Sequence, residues 1–257
     1  MQRGPEAEYC GFGLFNGETF PPLEELEVID YPWGQQPSVP GWGINCMGYP
    51  EPTGTEMGYW AQNLDWSQLR RLRLHNSSVP LATHLAPQLT ALEEIELNSF
   101  VDHYNTNVPT FFNMLPSTLE SITLPSLPTI GILTITAHAA KLRALSIHHS
   151  PFSNQDLLLL QDALPHLETL TLVCTRDSAT WPHDALSILA GFPRLESLTI
   201  WFDIGPVDAP DKPYLTVSST GDIFTYLRQH GASRLRRLHA HSATYTRMYR
   251  WGKLVGR

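Results

Sequence analysis

A short pattern of aliphatic positions recurs along the chain: a leucine, two variable residues, an aliphatic residue, one variable residue and a second aliphatic residue. The eight copies begin at Leu23, Leu69, Leu92, Leu119, Leu142, Leu167, Leu195 and, in degraded form, Leu235. Their first leucines lie 46, 23, 27, 23, 25, 28 and 40 residues apart. Because a short strand turns alternate side chains inwards and one repeat cannot bury them alone, the pattern predicts strands that stack on one another.

Between the strands, apolar residues take the spacing of helices. Ser153 and Asp156 form a capping-box pattern ahead of residues 157–160, and Pro182 and Gly191 suit the ends of a helix over residues 185–190. Further helices are predicted over residues 80–89, 108–115, 129–139 and, opened by residues 219–222, over 223–229. Five of the seven repeat intervals fall in the 20–29 residues typical of leucine-rich repeats. The sequence therefore predicts an α/β leucine-rich repeat solenoid of about eight repeats, with a parallel sheet on its concave side and helices on its convex side.

Residues beside the paired aliphatic positions should face the concave side. From the first strand to the last, they form the rows Glu25, Arg71, Glu94, Ser121, Ala144, Thr169, Ser197, Arg237; Glu27, Arg73, Glu96, Thr123, Ser146, Thr171, Thr199, His239; and Ile29, His75, Asn98, Pro125, His148, Val173, Trp201, His241. The first two rows alternate in charge over three strands, which predicts cross-strand ion pairs if the insertion between the first two motifs does not separate them. Strands four to seven present a floor of hydroxyl groups.

We expect a single domain over residues 1–257, with an N-terminal cap at 1–22 and a basic C-terminal tail at 241–257. A Trp-, Pro- and Gly-rich insertion occupies residues 30–68, and a second insertion occupies 203–218. Both leave the same edge of the sheet, where loops commonly carry function. They either roof the concave face and form a pocket, or seal the ends of the solenoid with their tryptophans.

Several side chains near that edge are candidates for a site. If the protein is an enzyme, His148, His149 and Asp203 are the catalytic candidates, because imidazole titrates near neutral pH and a carboxylate can act as its partner. His148 and His149 should point to opposite faces of a continuing strand. The candidates for binding are Trp33, Trp42, Trp201, Phe202, His75, Arg73, Glu96 and His241.

Composition narrows the function classes. Hydrophobic residues make up 42% of the chain and charged residues 16%, and no apolar run is long enough to cross a bilayer, so we expect a soluble globular protein without a membrane partner. The amino terminus fits no secretory or transit signal, and the three cysteines are far apart, so we expect reduced thiols in the cytoplasm or nucleus. The sequence has no phosphate-binding loop, dinucleotide fingerprint or zinc-protease motif, and we predict no cofactor and no metal. The only concentrated basic segment is the tail, so nucleic-acid binding is not expected.

The charge is distributed unevenly. The net charge of −8 conceals nine acids and one base in residues 1–60, and eight bases with no acid in residues 228–257. This asymmetry could steer an elongated molecule towards an anionic partner, or towards its own neighbour head to tail. Alternatively, the tail is simply solvated.

Three phrases carry a family resemblance: residues 20–26 (FPPLEEL), 64–72 (LDWSQLRRL) and 193–200 (PRLESLTI). They resemble the repeat region of fungal F-box and related leucine-rich repeat proteins, over most of residues 20–240. The 22 residues ahead of the first motif are too few for an F-box. The resemblance implies a substrate receptor that binds a protein or peptide on its concave face. The alternative is a cofactor-independent enzyme of fungal secondary metabolism, a cyclase or isomerase acting on an apolar small molecule held between the concave face and the insertions.

Overall fold

The computed structural model describes residues 21–29, 64–75, 85–98, 107–125, 131–175, 180–203 and 214–243. These residues form an open sheet of eight parallel strands, whose order across the sheet is their order along the chain. The strands are β1 Glu25–Ile29, β2 Arg71–His75, β3 Glu94–Asn98, β4 Ser121–Leu124, β5 Ala144–Pro151, β6 Thr169–Cys174, β7 Ser197–Asp203 and β8 Arg237–Ala243. The predicted α/β architecture with parallel strands is therefore confirmed, and β1 pairs directly with β2 across the first insertion.

Helices alternate with these strands. Two short 3-10 helices, η1 Trp66–Gln68 and η2 Ala86–Gln88, precede β2 and β3. The α-helices are α1 Asn107–Met114, α2 Ile132–Thr136, α3 Asn154–Ala163, α4 His183–Ala190 and α5 Val217–Gln229. No helix among the described residues is both long and apolar enough to cross a bilayer.

The helix ends follow local chemistry, and several differ from their predictions: α2 ends at Thr136 and not at 139, and α4 begins at His183 and not at 185. The capping box at the start of α3 is confirmed, with the Ser153 hydroxyl accepting from the Asp156 N–H at 3.1 Å. Helix α5 begins at Val217, earlier than predicted, because Thr216 and Ser219 form the capping box there. The second insertion is therefore shorter than the predicted 203–218, since its last two residues belong to α5.

The hydrophobic core lies between one face of the sheet and the helices. Strand side chains alternate in burial, and Leu145, Leu170 and Leu198 are at most 1% exposed. They pack in one continuous cluster with helix residues such as Leu157 and Leu189. The first insertion also contributes at its described end, where Trp66 is buried in this cluster. Residues 30–63 and 204–213 lie outside the described residues.

The strands pair in the predicted register for the first two rows of residues from one edge of the sheet to the other. The third row is interrupted. Between Ser146 and Pro151 the pairing of β5 with β6 shifts, so that Val173 pairs with Pro151 and not with His148. This irregularity falls on the part of β5 that contains His148 and His149.

Candidate functional site

The candidate site is the side of the sheet that faces away from the core, which we call the polar face and define by the strand residues in the three rows above. Its members in the middle strands, Thr123, Ser146, Thr171 and Thr199, are partly exposed and carry hydroxyl groups. Charged side chains occupy one end of this floor, and an aromatic and histidine cluster occupies the other. The polar face therefore offers different chemistry at its two ends.

At the first end, ion pairs link neighbouring strands as predicted. Arg71 contacts both Glu25 and Glu94, with its Nε 3.4 Å from Glu94 Oε2. Arg73 Nε lies 3.4 Å from Glu96 Oε2. The Arg71 and Arg73 side chains are each 47% exposed, so these pairs contribute little to stability, and each guanidinium keeps donors for a ligand.

The opposite end of the polar face contains an aromatic stack. The rings of Trp201 and His241 lie 4.2 Å apart at an interplanar angle of 17°. Val173 packs against Trp201 and is only 2% exposed, although it belongs to the polar face. Burial, together with the neighbouring His239, lowers the pKa of His241. We call Val173, Trp201 and His241 the aromatic corner.

The two catalytic candidates in β5 lie on opposite faces of the sheet, as predicted. His148 is on the polar face, with its Nε2 3.0 Å from the Ser146 hydroxyl, while His149 is buried at 4% exposure. Burial lowers the pKa of His148, and burial with the neighbouring His148 lowers the pKa of His149 to about 4. Both imidazoles are therefore neutral at pH 7.

The other candidates are only partly brought together. Asp203 ends β7 on the polar face, but β6 separates it from His148. Phe202 does not lie on the polar face. It is fully buried on the core face, where its ring centroid lies 5.1 Å from that of Trp181. The grouping of Phe202 with Trp201 therefore requires correction, because adjacent strand residues point to opposite faces.

Three further candidates lie wholly or partly outside the described part of the chain. His75 lies in β2 at the predicted register, paired with Ile29 and Asn98, but its side chain is outside the described part. Trp33 and Trp42 lie in residues 30–63, outside the described ranges. The question of a roof over the polar face therefore stays a prediction.

Sequence reasoning missed a fourth row at the amino-terminal ends of the strands. The residue after the first leucine is charged in all eight motifs: Glu24, Arg70, Glu93, Glu120, Arg143, Glu168, Glu196 and Arg236. At each of the seven strand junctions, its carbonyl accepts two N–H groups from the next strand at 2.7–3.1 Å. Ion pairs join Arg70 to Glu93, Arg143 to Glu168 and Arg236 to Glu196 at 3.1–3.7 Å. The sequence signal that could have predicted this row is the charged residue that directly follows the first leucine of every motif.

A cavity of about 690 Å³ lies beside this fourth row, at the end of the sheet that β8 forms. Its lining includes Glu196, Phe224, Arg228, Arg234 and Arg236. No ion pair involves Arg228 or Arg234 within the described part of the chain. Among the described residues, no group of three or more His, Cys, Asp or Glu side chains is placed to hold a metal ion.

A scan of the chain against protein-family models finds no match, and a search of curated proteins finds none either.

Proposed function

We propose that the protein is a leucine-rich repeat solenoid of eight repeats that recognises a protein or peptide on its polar face without catalysing a reaction. The repeat architecture is supported by the constant offset between each first leucine and its strand, by the sequential strand order and by the helices between strands. Each repeat contributes one strand to the polar face. The polar face would then be the concave side of the solenoid.

The aromatic corner is the observation that carries the proposal. Trp201 stacks on His241 and packs against Val173. Interface hot spots are enriched in tryptophan because its large rigid surface loses water on binding. The burial of Val173 keeps the base of this platform apolar. An apolar or aromatic side chain of the partner would therefore find its anchor here.

The charged end of the polar face, formed by β1 to β3, would orient the bound segment. Seven strand steps of about 4.8 Å give the polar face a length of about 34 Å, which an extended segment of about ten residues can span. The exposed guanidiniums of Arg71 and Arg73 can exchange part of their contact with glutamates for a carboxylate of the partner. We therefore expect a ligand segment with an apolar anchor at one end and acidic groups towards the other. The resemblance to F-box-like repeat regions supports a role as a substrate receptor in the cytoplasm or nucleus.

A displayed library of random peptides, selected against the full chain, tests this proposal. Peptides that bind should lose about tenfold or more in affinity with Trp201→Ala, and less with Arg73→Ala or Glu96→Ala. Lys141→Ala and Asp162→Ala, which change exposed residues away from the polar face, are the matched controls. Selected peptides that bind all five variants equally would contradict the proposal, as would repeated selections that enrich no binder.

One observation favours the alternative of a cofactor-independent cyclase or isomerase. His148 is a neutral imidazole hydrogen-bonded to Ser146 on the polar face, which suits a general base that acts on an apolar substrate. Under this alternative, His148→Ala and Asp203→Ala abolish turnover of a small molecule while leaving the melting temperature nearly unchanged. Peptide binding sensitive to Trp201 but not to His148 favours the recognition function instead.

A further inference from the structure

The two outer strands of the sheet carry opposite charge at matching positions. Strand β1 and the residue before it present Glu24, Glu25 and Glu27, which we call the acidic edge. Strand β8 and the residue before it present Arg236, Arg237 and His239, which we call the basic edge. Across the described sheet, β1 pairs only with β2 and β8 only with β7, so each edge has one side without a partner strand.

Inside the sheet, the same positions show how such charges combine. In the fourth row, Arg70 lies between Glu24 and Glu93 and forms its ion pair with Glu93, and Arg143 lies between Glu120 and Glu168 and forms its ion pair with Glu168. Arg236 has only Glu196 beside it, at 3.7 Å. Glu24 of a second copy next to Arg236 would give this arginine the same position between two glutamates, and Arg236 already contacts one of them, Glu196.

The adjoining rows give the same result. Arg71 contacts glutamates on both of its neighbouring strands, whereas Arg237 has Ser197 on one side and, among the described residues, no ion pair. Continuing the register past β8 places Glu25 of a second copy beside Arg237, and Glu27 beside His239. Two adjoining rows therefore continue with a glutamate beside an arginine, and a third places Glu27 beside the imidazole of His239.

Apolar burial is incomplete at both edges. Leu26 in β1 and Leu238 in β8 are only partly buried, while their counterparts Leu72 and Leu198 are 4% and 0% exposed. Each outer leucine packs against the core from one side, and a further strand would cover the other side. The arginine-lined cavity lies at the same end as the basic edge.

We infer that β8 of one copy pairs in parallel with β1 of a second copy, so that the sheet continues head to tail. The occupant is another copy of this chain, because it supplies in one surface the complementary charges, the partly exposed leucine and a strand edge in the matching register. A head-to-tail contact of this kind joins two unlike surfaces, so each copy keeps a free edge and the assembly grows beyond two copies, as an open series or as a larger ring.

The weight-average mass from sedimentation velocity, measured over a range of protein concentration and salt, tests this inference. The mass should rise with concentration without levelling at two copies. It should fall with salt, because the screening length drops from about 10 Å at 0.1 M to about 3 Å at 1 M. A protein that stays monomeric throughout, as when another segment of the same chain covers these edges, overturns the inference. A plateau at two copies does so as well.

Charge-reversal variants locate the contact. Arg237→Glu and Glu25→Arg should each weaken association about tenfold or more, and an equimolar mixture of the two should restore it, because each variant's changed edge then meets an edge of opposite charge. Glu24→Arg is a second variant of the acidic edge, and its carboxylate forms no ion pair among the described residues. Lys141→Glu and Asp162→Arg make the same changes of net charge elsewhere and should not alter association. Association that survives both edge variants, or a mixture that fails to associate while melting temperatures show folded protein, overturns the inference.

Discussion

Replacing Leu170 by alanine probes the stacked core at its centre. Leu170 is 0% exposed and pairs in register with Leu145 on one side and Leu198 on the other. Its removal deletes three carbon atoms, a transfer loss of about 2.4 kcal/mol at about 0.8 kcal/mol per methylene. The cavity left between two fixed strands adds to this loss, so we expect a total of about 2–5 kcal/mol.

Leu238→Ala is the matched control at the end of the same row. Leu238 is partly buried and has a strand neighbour on one side only. Water can fill the space that the truncation leaves, so we expect a loss below about 1.5 kcal/mol.

Urea unfolding followed by circular dichroism measures both losses, with the slope against denaturant checking that the transition stays cooperative. A loss below about 0.5 kcal/mol for Leu170→Ala would refute the continuous stack. Equal losses at the two positions would refute the claim that burial on both sides determines the cost.

Three further predictions follow from local features. Gly231→Ala should lower the free energy of unfolding by about 1–3 kcal/mol, because the φ of Gly231 is 138° and a Cβ would lie 2.7 Å from the Ala190 carbonyl oxygen. Gly221→Ala, inside α5 with open space around it, should instead stabilise the protein by about 0.5–1 kcal/mol. His149 has a folded-state pKa of about 4, so the unfolded chain binds more protons than the folded chain between pH 6.5 and 4. The free energy of unfolding should therefore fall as the pH falls through this window. His149→Gln should reduce this pH dependence in urea unfolding curves. Burial raises the pKa of Cys174 to about 12, so a thiol reagent at pH 8 should modify this cysteine only after unfolding, as peptide mapping would show. Rapid modification of the folded protein would contradict its burial. Reductant should leave the melting temperature unchanged.

The sheet could be predicted because its signal is strictly local and repeated. Each motif fixes which residues of a strand turn inwards, and a slip of one residue would expose the whole aliphatic set, so the register of the first two rows follows from the sequence. The shift between Ser146 and Pro151 could not be predicted in this way. It follows from the extension of β5 beyond the motif, where the repeat pattern no longer constrains the pairing.

Helix ends and side-chain contacts were harder to predict. Both Thr216 and Ser219 are good capping residues, and only the folded chain shows that Thr216 caps α5, which begins at Val217. The stack of Trp201 on His241 depends on the rotamers of two side chains, whereas their shared row follows from the register. Placing Phe202 beside Trp201 failed because proximity in sequence was given more weight than the alternation of strand side chains.

Methyl NMR of the complex with a selected peptide tests the central claim, that the polar face is the recognition surface, most directly. Thr123, Thr171 and Thr199 place their methyl groups on this face, while Leu133 and Leu158 are exposed on helices away from it. The proposed function predicts that peptide binding shifts the threonine signals and leaves those of the two leucines unchanged. Shifts confined to Leu133, Leu158 and neighbouring helix residues would contradict it.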